Sequence, residues 1–98
     1  MSSKALGQAG TLESCDALVM VLLDAGKEGI VLEMDGPSLV SFEEDIRVAV
    51  SETLASLGIS DAEVRLSERG ALDCTLRARV EAAARRALAV LEKAGVEG

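Results

Sequence analysis

Leu72-Asp73-Cys74-Thr75-Leu76-Arg77-Ala78-Arg79-Val80-Glu81 supports two secondary structures, and the choice between them decides the fold. Leu72, Cys74, Leu76, Ala78 and Val80 alternate with polar residues, as in a half-buried strand. Leu72, Leu76, Val80, Ala83, Ala87, Val90, Leu91 and Ala94 also fall on one face of a helix. The helical pattern covers the whole segment, and alanine and arginine are strong helix formers. The spacing therefore predicts a helix over about 72–93. Such a helix needs an apolar surface to lie on, and the preceding residues read as a small sheet.

Just upstream, Ala62, Val64 and Leu66 alternate with Glu63, Arg65 and Ser67, a strand pattern, and Arg69-Gly70 turns the chain. Before that strand, Ser41-Phe42-Glu43-Glu44 has the form of a capping box, with acids where a helix dipole favours them. Phe42, Ile46, Ala49, Val50, Thr53, Leu54 and Leu57 then recur on one face, and Gly58 with Ile59 beyond it reads as a Schellman stop. A helix over about 41–57 is expected. Further back, Ala17–Leu23 and Ile30–Met34 are apolar runs of strand length, separated by a turn at Asp24–Gly29 and closed by Asp35-Gly36-Pro37-Ser38. They read as an antiparallel hairpin. Residues 1–9 are small and polar and read as a loose N-terminus. The expected fold is α+β: one domain over 1–98, a small antiparallel sheet with two packed helices, in the order β-β-α-β-α.

Composition narrows the function. The chain has 98 residues, 49% of them apolar, which suits one modest core. Phe42 is the sole aromatic residue, so base-stacking platforms for nucleic acid are missing. A net charge of −7 opposes phosphate binding by the body of the chain, and acids dominate residues 1–70 while residues 71–98 are slightly basic. That balance suits protein partners rather than nucleic acid or an anionic membrane. The apolar run Ala17–Leu23 is far short of the roughly 20 residues a spanning helix needs. Two cysteines and no histidine give neither a disulfide framework nor metal-ligand spacing, which fits a cytoplasmic chain with reduced thiols.

Catalytic constellations are mostly missing as well. Without histidine there is no Ser-His or Cys-His pair. The carboxylates Glu43, Glu44 and Asp45 read as a helix N-terminus, and no glycine-rich phosphate loop is present. Arg77, Arg79, Arg85 and Arg86 read either as a solvated helix face or as a contact for phosphate or a partner's acids. Cys15 and Cys74 are candidate reactive thiols, the first in a turn and the second near a helix start; packing is the ordinary role of cysteine. The segment Gly10-Thr11-Leu12-Glu13-Ser14-Cys15-Asp16 reads as an exposed polar turn. On residue type alone, Ser14 is a common turn serine.

Two blocks carry a family resemblance. Ala9-Gly10-Thr11-Leu12-Glu13-Ser14 resembles the N-terminal signature of the citrate lyase acyl carrier protein, the gamma subunit. Gly70-Ala71-Leu72-Asp73-Cys74 followed by Leu76-Arg77-Ala78-Arg79-Val80-Glu81 resembles the C-terminal signature of the same subunits, in the same order and separation. The resemblance implies that Ser14 carries phosphoribosyl-dephospho-coenzyme A through a phosphodiester. The thiol of that arm would hold acetyl and citryl groups during citrate fermentation. It further implies partners: a transferase (alpha) subunit that exchanges acetyl for citrate, and a lyase (beta) subunit that releases oxaloacetate. A prosthetic-group transferase and an acetylating ligase complete the set. The carrier itself would break no bond and hold no metal. The family often has a small residue such as Ser or Gly after the attachment serine, where this chain has Cys15, a thiol able to take acyl groups or crosslink on oxidation. Cys74 is expected to pack against the sheet, and Arg77 and Arg79 to contact a catalytic subunit or the arm's phosphates.

Three other readings use the same residues. Ser38 in Pro37-Ser38-Leu39, just before a helix, superficially resembles the attachment site of four-helix acyl carriers. The carrier subunit of malonate decarboxylase uses the same kind of arm. A protein-interaction adaptor would carry no covalent group at all.

Overall fold

Six elements follow one another in the computed structural model: β1 (Ala5–Gly10), β2 (Ala17–Leu23), β3 (Ile30–Asp35), α1 (Leu39–Ser56), β4 (Ala62–Glu68) and α2 (Asp73–Glu97). The structure describes residues 5–23 and 28–97, the last four of these by backbone only. The strands form one sheet in the order β1-β2-β4-β3. Its inner face carries Ala5, Ala9, Val19, Val21, Val64 and Leu66, all buried beneath the two helices. Helix α2 lies along β1 and β2, while α1 packs against α2 and β3. The α+β class and the two packed helices are as expected. The segment from Asp73 is helical, so the strand reading of residues 71–80 falls away.

Three expectations change. First, residues 5–9 of the expected loose N-terminus are not loose, because Ala5–Gly10 is a full edge strand, paired antiparallel with β2 from Ala5↔Leu23 to Gly10↔Leu18, while residues 1–4 lie outside the described residues. The signal was hidden by small residues. A Cβ on Gly7 would stand 1.9 Å from the Ala83 carbonyl oxygen and 2.4 Å from the Ala87 nitrogen, so α2 lies directly on the β1 backbone. Ala5, Gly7 and Ala9 are small because larger side chains would push the helix away.

Second, β2 and β3 are not a hairpin. Strand β4 lies between them, antiparallel to β2 and parallel to β3, so the sheet is mixed. The two run in opposite directions, as predicted, but β4 separates them. With strands about 4.8 Å apart, a short connection crosses one intervening strand without difficulty. Residues 24–27 of the expected turn lie outside the described residues. Burial explains the order: β4 has Ala62, Val64, Leu66 and Glu68 all buried and needs a neighbour on each side, while β3 is half-buried and takes an edge.

Third, α1 begins at Leu39, and the Ser41 capping box does not form. The amides of Ser41 and Phe42 both donate to the Ser38 carbonyl, and the helix kinks at Phe42 (φ −129°, ψ 22°). The kink turns Phe42 out to 56% exposure. Ile46, Ala49, Val50, Thr53 and Leu54 are buried as their spacing predicts. The Schellman stop is present, with the Gly58 amide donating to Ala55 O (3.0 Å) and the Ile59 amide to Leu54 O (3.0 Å).

Candidate functional site

The β1–β2 connection is a hairpin tip whose backbone is determined residue by residue. Gly10 opens it at φ +94°, and a Cβ there would sit 1.7 Å from the Ala17 carbonyl oxygen. The Thr11 hydroxyl accepts from the Glu13 amide (3.2 Å) and donates to Asp16 Oδ2 (2.7 Å). Asp16 is the hub. Its Oδ1 accepts from the Ala17 amide (2.7 Å) and from Arg79 Nε on α2 (2.8 Å), and Arg79 Nη2 reaches Oδ2 (3.3 Å). The bidentate Arg79 fork, the Thr11 hydroxyl and the Ala17 amide hold the Asp16 carboxyl well below the usual carboxylate range, despite some desolvation. The same pairing raises Arg79. With its side chain only 14% exposed, Asp16 ties the hairpin to the helix.

At the tip, the Asp16 amide donates to Glu13 O (3.1 Å), closing a turn with Ser14 and Cys15 at its centre. Cys15 has φ +65°. Its amide donates to Arg69 O (2.7 Å), while the Arg69 amide donates to Asp16 O (2.9 Å). Two residues of this strand thus oppose one of the next, a β-bulge of the kind that places glycine in the left-handed conformation, here occupied by Cys15. Bulges re-aim side chains at the ends of sheets. Ser14, beside the bulge, is exposed, and its hydroxyl makes no hydrogen bond to any described residue. The expected exposure is met. The turn is not the flexible segment that an attachment point suggests, since bonds on both sides of Ser14 hold it.

Among the described residues no group is bonded to the Ser14 hydroxyl to activate it. The Asp16 carboxylate is fully engaged, and the sequence holds no histidine. Ser14 is therefore suited to be acted upon rather than to attack unaided.

The remaining candidates separate. Cys15 is exposed beside Ser14. Cys74 is exposed too, in the first turn of α2, and does not pack against the sheet as expected, because Leu76 and Val80 form the buried face. Arg77 pairs with Asp73 (2.7 Å) and Glu52 (2.9 Å), which raises it. Arg79 is the clamp on Asp16, so both arginines have partners within the chain. Ser38 immediately precedes α1, with its amide donating to Glu68 Oε2 (2.6 Å). The four-stranded sheet excludes the four-helix carrier that Ser38 suggested. Among the described residues no group of three or more His, Cys, Asp or Glu could hold a metal.

Sequence reasoning missed the Asp16–Arg79 pair and Glu68. Glu68 is buried at the end of β4, and its Oε1 accepts from the Gly70 amide (2.7 Å). Burial pushes this carboxyl up, and hydrogen bonds from Ser38, Gly70 and Ala71 more than reverse it, leaving it below its ordinary value. One signal was available: Glu68 continues the inward period of Ala62, Val64 and Leu66.

Residues 4–87 match the family model described as malonate decarboxylase delta subunit (MdcD), named ACP. The chain is 41% identical over 90 residues to the citrate lyase acyl carrier protein of Streptococcus equi subsp. zooepidemicus (strain H70), covering 92% of this chain and 87% of the relative. It is 47% identical over 87 residues to the protein of that name from Klebsiella pneumoniae subsp. pneumoniae, covering 89% of each. With that of Lactobacillus helveticus (strain DPC 4571) the identity is 33% over 97 residues, covering 99% of this chain and 98% of the relative.

Proposed function

We propose, for a chain that belongs to the citrate lyase acyl carrier protein family, that Ser14 is the attachment point of a covalent arm. In this reading the arm is phosphoribosyl-dephospho-coenzyme A, joined through a phosphodiester. Its terminal thiol would supply acyl transfer by holding acetyl and citryl groups as thioesters. One observation carries the proposal: an exposed, unpartnered hydroxyl on a turn held rigid by Asp16, Arg79 and the Cys15 bulge. The hydroxyl is free to react with what a separate enzyme brings, and the turn presents it without rearrangement. Tethering then keeps the acyl group near two active sites at high effective concentration. The chain serves as a non-catalytic, cytoplasmic subunit, acting with the transferase and lyase subunits, a prosthetic-group transferase and an acetylating ligase. Among the described residues, no helix is long and apolar enough to cross a membrane.

Intact mass and peptide mapping after co-expression with the cognate prosthetic-group transferase test this. The gain expected for the arm localises to Ser14, disappears in Ser14→Ala and persists in Ser38→Ala. No gain with a transferase active on another carrier sinks the proposal and leaves the adaptor reading. The name of the matching family model favours a second role, as the carrier of malonate decarboxylase. Reconstitution separates the two. The loaded carrier restores citrate cleavage to acetate and oxaloacetate with citrate lyase subunits in the first case, and malonate decarboxylation with its own partners in the second.

A further inference from the structure

The described residues include seven arginines, and six have partners. Arg47 pairs with Glu43, Arg65 with Glu33 and Glu63, Arg77 with Asp73 and Glu52, Arg79 with Asp16, and Arg85 with Glu81, while Arg86 donates to the Gln8 carbonyl. In so acidic a chain, pairing is the expected state. Arg69 differs: its side chain is exposed and meets no carboxylate of any described residue, and among these residues only its backbone is bonded. Those backbone bonds place it. Arg69 stands opposite the bulge, its carbonyl accepting from Cys15 and its amide donating to Asp16. Cα atoms of hydrogen-bonded antiparallel pairs stand about 5.5 Å apart, a separation shorter than an arginine side chain. Ser14 is the next residue along. The Arg69 side chain is thus long enough to reach a hydroxyl proposed to carry a phosphate.

We propose that Arg69 is the anion contact of the attachment site, pairing with the phosphate that joins the arm to Ser14. The inference rests on the function proposed above and adds a residue to it. Guanidinium is the suitable cation, because its planar fork matches phosphate oxygens with two parallel hydrogen bonds. The surroundings leave few alternatives. Arg79 has its fork on Asp16, and Glu13 and Asp16 contribute only negative charge at the tip. The groove that opens beyond Gly70, about 580 Å³ between the starts of α1 and α2, is lined by Phe42, Leu72, Asp45, Asp73 and Arg77, and the Arg77 guanidinium is already taken by Asp73 and Glu52. Two carboxylates on an apolar wall repel phosphate, so the groove does not compete for it.

The test uses the full chain labelled with ¹⁵N, before and after loading by the transferase, with intact mass recorded on the same sample. On loading, the Arg69 Nε–Hε resonance shifts downfield while those of Arg77 and Arg85 stay in place. In loaded Arg69→Gln, the ³¹P resonance of the linking phosphate moves to the position found in a short modified Ser14 peptide, and Arg69→Lys gives an intermediate position. A mass gain at Ser14 with an unmoved Arg69 resonance overturns this inference and leaves the carrier reading intact. No mass gain overturns both. A shift seen only when the transferase is present, and lost when it is removed, also overturns the inference, because Arg69 would then contact the enzyme. If Arg69→Gln fails to fold, the wild-type resonance decides alone.

Discussion

Ser14 and Ser38 both follow a strand where the chain turns, and a carboxylate organises each loop, yet the two serines have opposite surroundings. Around Ser14, Asp16 accepts from its neighbours Thr11, Ala17 and Arg79 and takes nothing from the serine. Around Ser38, the buried Glu68 accepts from the amide of the serine itself and holds it beside Gly70. The first carboxylate holds a loop so that its serine is displayed, and the second consumes its serine as a structural donor. A serine near a helix start is therefore no guide to attachment here. What distinguishes the two is which groups the nearby carboxylate binds.

The contrast breaks most visibly at Glu68. Glu68→Gln replaces a buried acceptor of several N–H groups with a neutral amide, and the expected loss is about 2–3 kcal/mol in urea-induced unfolding. Loading at Ser14 persists in whatever fraction stays folded. The same group gives a pH signature. Its folded pKa lies below the ordinary 4.5, so its contribution is fully present above that value and is lost as pH falls through the lower folded one. Asp16 acts in the same direction from its ordinary value of 3.8. Stability measured by thermal melts therefore declines below about pH 4.5, and Glu68→Gln removes part of that slope.

Cutting the other clamp costs less. Arg79→Ala frees Asp16 from α2 while the core stays packed. The melting temperature is expected to fall, because the pair that holds Asp16 ionised is lost, with faster hydrogen exchange at the Cys15 and Asp16 amides and slower loading of Ser14. Unchanged exchange would show that the turn holds itself without the helix. The smallest effect is at the bulge. Cys15→Gly relieves a side chain held at φ +65° and offsets that with a more flexible unfolded chain, for a net gain of about 0.5–1 kcal/mol in chemical denaturation.

Much of this architecture was legible where side chains bury themselves at regular intervals. Ile46 to Leu54 and Leu76 to Ala87 announced two helices, Gly58 announced where the first one stops, and Ala62 to Leu66 announced a strand. Ala5–Gly10 was illegible because close packing there required the absence of side chains, and periodicity methods read side chains. The order of the strands was hidden for a different reason: β2 and β3 have the composition of a hairpin, and only the demand of β4 for two neighbours separates them. At the candidate site, the exposure of Ser14 followed from residue type. The Asp16–Arg79 pair spans 63 positions, and no local pattern reports a contact so distant.

The seam between Gly7 and Ala83–Ala87 has a consequence for the arm proposed at Ser14. Strand β1 cannot rock without colliding with the α2 backbone, so the hairpin is a fixed post and its tip has a heading. A load on a mobile stub spreads over a wide range of headings. A load on a fixed post sweeps only the outward solid angle. In the proposed carrier role, a missing methyl group on one glycine thereby helps to aim the arm some residues away.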